Sequence, residues 1–174
     1  MDVKLIAPSK EYEKEAFEYI QEFLDYNSEI NGTGGLDRYD NYDDWLLKIE
    51  RDIDFNNIPE GRVPANTYFL VRISDNKIIG MINIRHKLNE FLLNEGGHIG
   101  YSVRPTERKK GYATLMLKLA LQRCRELNLD KVLITCDKVN VPSAKVIHRN
   151  NGILENELYS ETFSEIIQRY WIEL

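Results

Sequence analysis

The segment Val103-Arg104-Pro105-Thr106-Glu107-Arg108-Lys109-Lys110-Gly111-Tyr112-Ala113-Thr114 runs from a strand through a basic turn into the start of a long apolar helix. Backbone N–H groups at a helix N-terminus have no intrahelical partner and sit at the positive end of the helix dipole, so this junction is built to seat an anion such as a phosphate. Gly111 lets a ligand approach the backbone, small Ala113 clears bulk beside it, and Arg108, Lys109 and Lys110 add positive charge. A strand, a charged turn and a helix also occur in α/β proteins that bind no phosphate, so the segment is weighed with the rest of the chain.

The remaining sequence alternates strands and helices without a linker, repeat or low-complexity tract. Val3 to Ala7 reads as a strand. Residues 10 to 26 carry Tyr12, Ala16, Phe17, Tyr19, Ile20, Phe23 and Leu24 at helical spacing behind Ser9 as N-cap. Asn31-Gly32-Thr33-Gly34-Gly35 breaks that pattern before a second helix, from about Asn41 to Phe55. Thr67 to Ser74 and Lys77 to His86 form antiparallel strands around Asp75-Asn76. Gly97 to Val103 is the next strand, and Gly111 to Leu127 a helix whose wide apolar face packs deep against a sheet. Lys131 to Cys136 is a short apolar strand expected to pair in parallel with the preceding one through a right-handed crossover. Asp137 to Asn151 holds a turn and a helix stopped by Gly152, and Ile153 to Tyr159 and Ile166 to Glu173 close the chain as an antiparallel pair.

The spacing Arg108-x-x-Gly111-x-Ala113 resembles the acetyl-CoA pyrophosphate motif of the GNAT superfamily of N-acetyltransferases, and the order of elements along nearly the whole chain resembles the GNAT fold. The resemblance implies one domain over residues 1–174, with a mixed central sheet of about seven strands flanked by about four helices. It implies acetyl-CoA as co-substrate, held by Val103, Arg108, Lys109, Lys110, Gly111, Tyr112, Ala113 and Thr114. The segment Asp137 to Ile153 is similar to the second GNAT cofactor motif. There an Asn after the fifth strand bonds the pantetheine arm and a small residue opens the following helix, positions held here by Asn140 and Ser143. As residues alone, Asn140 equally reads as a helix cap and Ser143 as a first-turn residue. A buried amide arm needs partners, so the two parallel strands are expected to splay here. Many family members carry a Tyr four residues after the Ser position to protonate the departing thiolate. Here that residue is Ile147. A thiol of pKa about 8.5 leaves fairly well as its anion, and water or Ser143 could supply the proton.

The implied reaction is attack of a primary amine on the thioester in a ternary complex. An amine of pKa about 10.4 is neutral in only about one molecule in a few thousand at pH 7, so a base is useful. His98 is the first candidate, because an unperturbed imidazole titrates near pH 6.5, and Glu95 is the second, acting directly or through water. His86 and His148 are weaker, the one ending a strand and the other lying beside Arg149. A backbone N–H near Val103, freed by a bulge, would polarise the thioester oxygen. Residues 25–60, which border the acceptor groove in GNAT folds, hold ten acidic residues against Arg38, Lys48 and Arg51. Such a rim favours a small cationic amine, a polyamine or aminoglycoside-like compound, with a protein lysine or N-terminal amine as further options. Tyr39, Tyr42 and Trp45 either line that groove or belong to the core.

Other classes are excluded or kept as alternatives. A formal net charge of −5 argues against general nucleic-acid binding, which needs a broad basic surface. No apolar run approaches the ~20 residues that span a bilayer, and the first residues lack a signal-peptide pattern, so the reading is of a cytoplasmic protein with no membrane partner. Cys124 and Cys136 read as buried apolar residues, and no acidic cluster offers a metal site near the turn. No G-x-x-x-x-G-K-[ST] loop supports a nucleotide triphosphate. A non-catalytic acyl-CoA sensor is the alternative that Ile147 keeps open. The oligomeric state is not legible, since the last strands can pair within one chain or with a neighbour.

Overall fold

The computed structural model describes residues 1–174. Its elements are β1 (Val3–Ile6), α1 (Glu13–Asp25), α2 (Tyr42–Arg51), β2 (Ala65–Arg72), β3 (Lys77–Arg85), β4 (Ile99–Val103), α3 (Tyr112–Glu126), β5 (Lys131–Asp137), α4 (Val141–Arg149), β6 (Ile153–Ser160) and β7 (Glu165–Glu173). A 3-10 turn at Lys10–Tyr12 precedes α1, and a π-turn at Leu92–Gly96 precedes β4. Ser9 sits at the expected N-terminal boundary, but its hydroxyl donates to Glu11 Oε1 and caps no backbone N–H. Asn41 does cap α2, its side chain accepting from the Asp44 N–H.

The seven strands divide into two antiparallel sheets, ordered β1-β2-β3-β4 and β5-β7-β6. β3 and β4 pair from Ile84↔Ile99 to Gly80↔Val103 without a register shift. The expected parallel ladder between β4 and β5 is absent. The two strands touch through one backbone bond, from His98 N–H to the Leu133 carbonyl at 2.7 Å, and then part. Gly97 sets this divergence: its φ of +63° turns the chain, and a Cβ there would lie 2.7 Å from the Leu133 carbonyl oxygen. A gap therefore opens between the sheets on the side of Val103 and Asp137.

Helices cover both faces. α3 and α4 pack on one, where Met116, Leu117, Ala120, Cys124 and Ile147 meet Ile82, Ile99, Val103, Ile134 and Tyr170 in one apolar cluster. The buried positions of α3 recur at three and four residues, so its apolar stripe drives this packing. α1 and α2 cover the other face, with Tyr19, Phe23, Tyr42 and Trp45 around Phe69, Val71, Ile78 and Met81. Tyr42 and Trp45 are thus core residues. Cys124 and Cys136 are free and buried, and no helix is long and apolar enough to cross a membrane.

Candidate active site

Lys109 and Gly111 adopt left-handed φ of +63° and +85° around Lys110, which turns successive amides toward one point. The N–H groups of Lys109, Lys110, Gly111, Tyr112, Ala113 and Thr114 have no acceptor in the chain, and the first helical bond beyond them runs from Leu115 N–H to the Gly111 carbonyl. A Cβ built at Gly111 would meet only the Met1 methyl, so the mouth of the turn is open. The turn is braced from below. Buried Arg104 donates through Nε to the Ile78 carbonyl and binds Glu15 and Glu22, while Thr106 donates its N–H and hydroxyl to Glu22. Glu107, buried as well, binds Arg72 and Lys110. The basic residues therefore differ. Arg108 is tied to the Val103 carbonyl (3.1 Å), to Ser28 Oγ (2.8 Å) and over the Phe23 ring, and Lys110 is held by Glu107. Lys109 is exposed with no ion pair, and the Tyr112 ring is buried, so Tyr112 offers only its N–H.

The gap continues from this turn. Arg85 N–H bonds the His98 carbonyl and Arg104 N–H bonds the Ile79 carbonyl, so antiparallel alternation turns the N–H and C=O of Ile99, Tyr101 and Val103 away from β3, toward β5. By the same alternation, the bonds from Leu174 N–H to Asp130 and from Lys138 N–H to Ile166 turn Leu133, Thr135 and Asp137 toward β4. Two polar strand edges thus face each other across the gap without pairing, as an extended amide chain between them requires. No bulge at Val103 is needed to free a donor there. On the α4 side the Tyr101 hydroxyl meets Ser143 Oγ at 2.9 Å, bridging β4 to the first turn of α4. Asn140 Oδ1 accepts the Ser143 N–H at 3.2 Å, so its capping role is real, and its Nδ2 stays open to solvent. Ile147 is fully buried in the core.

The two proposed bases sit at the closed end. His98 is buried, and its Nδ1 accepts the Leu133 N–H at 2.9 Å, which leaves the proton on Nε2 and no free lone pair on the neutral ring. Burial, aided by the charge of Arg85, pushes its pKa down to about 4. The ring is a clasp on β5 rather than an open acceptor of protons. Glu95 lies half-buried in the π-turn, one carboxylate oxygen accepting from Ser160 Oγ at 2.7 Å. Its carbonyl accepts from Thr135 Oγ1 at 2.6 Å.

Residues 37–152 match the model of the acetyltransferase (GNAT) domain. The chain belongs to the GNAT acetyltransferases. It is an acyltransferase by family, and its fold recurs in solved structures. The ribosomal-protein-S5-alanine acetyltransferase of Vibrio fischeri superposes with a TM-score of 0.73 at 16% identity, over 99% of this chain and 93% of that one. The dodecameric spermidine N-acetyltransferase of Vibrio cholerae gives 0.68 at 16% identity, over 99% and 94%. The microcin C7 self-immunity acetyltransferase MccE, in complex with acetyl-CoA and AMP, gives 0.69 at 20% identity, over 99% and 93%. No curated protein sequence matches the chain.

On the face of this GNAT domain opposite α3 and α4, a cavity of about 460 Å³ lies beside β4. The loop between α1 and α2 forms one wall and is fixed to β4 by Ser102 Oγ, which donates to the Asn31 carbonyl. β3 supplies Asn83 and Arg85. Of the ten acidic residues counted between 25 and 60, only Asp37 and Asp52 line this cavity. Asp43 pairs with Lys10, and Asp44 and Glu50 line a separate cavity of about 510 Å³ outside α2. The acidic rim read from composition thus points largely elsewhere. Arg85, which carried no motif signal, brings its guanidinium beside Gly100 of β4.

Proposed function

We propose that this protein transfers the acetyl group of acetyl-CoA to a primary amine in a ternary complex, with residues 1–174 as one catalytic domain. The observation that carries this reading is the continuity of the site. An array of free amides at Lys109–Thr114 opens into a gap edged by unpaired strand groups, which reaches the Tyr101–Ser143 pair, and β4 is flanked at Gly100 by the cavity residues Gly32 and Arg85. When bound, acetyl-CoA supplies an acyl thioester whose C–S bond breaks as the amine N–C bond forms. The residues fit such a molecule: the amides of Lys109, Lys110, Gly111, Tyr112, Ala113 and Thr114 suit a pyrophosphate, with Arg108, Lys109 and Lys110 as surrounding charge. The edges at Tyr101, Val103 and Thr135, with Asn140 Nδ2 and Ser143, suit an amide arm. Spermidine and a ribosomal-protein alanine, named for two similar structures, are both amine acceptors.

Tyr101 and Ser143 serve the leaving sulfur in place of the Tyr missing at Ile147. Burial pushes the Tyr101 hydroxyl up to about 12, so it keeps its proton at neutral pH and stabilises a thiolate by donating a hydrogen bond. Solvent completes the protonation. His98 is a positioning residue that pins the closed end of the gap, and Glu95 receives the amine proton through water. Calorimetric titration with acetyl-CoA, with ATP and NAD as controls, followed by thiol release on adding amines, tests the whole. Selective acetyl-CoA binding with amine-dependent release supports the proposal. Binding without release points to an acyl-CoA sensor, and no binding removes the assigned seat.

A further inference from the structure

We propose that the acetyl acceptor carries an anionic group, a carboxylate or a phosphate, and that Arg85 is its seat. The inference rests on the amine-acetylation reading above and names the class of its acceptor. Arg85 closes β3, and its Nη1 donates to the carbonyls of Gly96 and Gly97 at 3.1 and 3.3 Å, which fixes the guanidinium in place. Its Nε and Nη2 have no acceptor in the chain, and no carboxylate lies within ion-pairing distance. Arg85 is half-buried, and every other buried or half-buried guanidinium is paired: Arg104 with Glu15 and Glu22, Arg169 with Glu155, Arg72 with Asp75 and Glu107, and Arg123 with Glu126. Its free Nε–H and Nη2–H reach the cavity, where an anionic ligand can accept two parallel N–H bonds.

The position matters as much as the charge. A Cβ built at Gly100 on β4 would lie 3.5 Å from Arg85 Nη2, so the guanidinium flanks the strand whose far edge lines the gap. An acceptor anchored there by its anion holds its amine beside that edge. The cavity field has the right sign. Its charged lining is Arg38, Lys48, Arg62 and Arg85 against Asp37 and Asp52, and Lys48 is already paired with Asp52 at 2.6 Å. A polyamine meets unpaired guanidinium groups here, whereas an amino carboxylate or amino phosphate meets its complement.

Matched amines test this by thiol release: β-alanine against propylamine, O-phosphoethanolamine against ethanolamine, and spermidine as the polycation. The expected result is a kcat/KM about ten- to hundred-fold higher for the anionic member of at least one pair, and the pair that responds tells carboxylate from phosphate. Arg85→Gln should erase that preference, bringing the anionic and neutral members of the pair to the same kcat/KM. Arg85→Lys, which keeps the charge, should retain part of it and carries the test if the Gln variant does not fold. Preference for spermidine or a neutral amine, or a preference that survives Arg85→Gln, overturns the proposal. Independently of turnover, the Arg85 Nε–H resonance should shift saturably with acetate or inorganic phosphate, and no shift with either also overturns it. Failure of acetyl-CoA to bind would instead remove the acetylation reading, and the resonance titration would still decide the Arg85 seat.

Discussion

The amide-lined turn and the acceptor cavity flank β4 and are built in opposite ways. The turn draws six consecutive N–H groups from one stretch of chain, and its basic side chains are largely committed to Glu107, Ser28 and the Val103 carbonyl. The cavity draws side chains from the α1–α2 loop, α2, β3 and the segments around Arg62 and Leu92. A backbone site depends on conformation and tolerates changes of side chain, whereas a side-chain site depends on residue identity at positions far apart in sequence. If the proposed function holds, the first recognises what every molecule of one co-substrate shares, and the second can change its acceptor without disturbing the fold.

The largest effect should come from the brace beneath the turn. Arg104→Ala strips a buried guanidinium from Glu15, Glu22 and the Ile78 carbonyl, and should cost about 3–5 kcal/mol in urea unfolding because two carboxylates lose their partner. One cooperative transition is expected, and two separate ones would show that turn and cavity fold independently. Gly111→Asp comes next. It sets a carboxylate among the free amides at a left-handed φ and should weaken acetyl-CoA binding by about two orders of magnitude in calorimetry. Lys110→Ala, at a side chain already held by Glu107, should weaken it by only about threefold. Equal losses from the two variants would remove the distinction between backbone and side-chain seats.

That distinction also governs what the sequence could reveal. The turn was legible because glycine, basic residues and a helix start lie in one contiguous run, and α1 and α3 followed from apolar spacing. The succession of strands was legible, and so was a splay of β4 from β5 beside Asn140, but the absence of any parallel ladder and the place of β7 between β5 and β6 were not, because the parting depends on Gly97 pressing against Leu133 thirty-six residues away. Gly152 was expected to turn the end of α4, yet Asn151 takes the left-handed conformation at φ +66°, and Gly152 is needed because a Cβ would strike Ile147. Counting acids between 25 and 60 did not place them, since composition does not tell which side of a helix faces the cavity. Arg85 and Tyr101 had no local signature. Only the register of β3 against β4 brings Arg85 beside His98 and Gly100.

His98 offers a smaller effect with a definite sign. Its pKa is held down to about 4 in the folded protein against about 6.5 when unfolded, so the unfolded chain binds more protons between those values. The stability from the neutral ring is complete above pH 6.5 and is lost as pH falls toward 4, about 2 kcal/mol between pH 7 and 4.5. Urea unfolding across that range should show the slope, and His98→Gln, whose amide oxygen can still accept the Leu133 N–H, should flatten it. A clasp predicts that this variant loses less than tenfold in rate. A base at His98 predicts a far larger loss and, in the unaltered protein, an acid limb near pH 4 that the variant abolishes.

Tyr101→Phe removes the hydroxyl that meets Ser143 and should lower kcat by about tenfold with acetyl-CoA affinity unchanged, since a thiolate needs modest help to leave. The smallest effect belongs to the acids outside the cavity. Asp43 is engaged with Lys10 and Asp44 faces the cavity outside α2, so converting both to Asn leaves the field beside β4 nearly untouched, screened over the intervening helix. Kinetic constants for every amine should stay within about twofold in the double variant. A selective loss for cationic amines would restore the acidic rim as a recognition surface and would mean that the acceptor approaches over α2, where side-chain identity rather than the β4 edge decides what is acetylated.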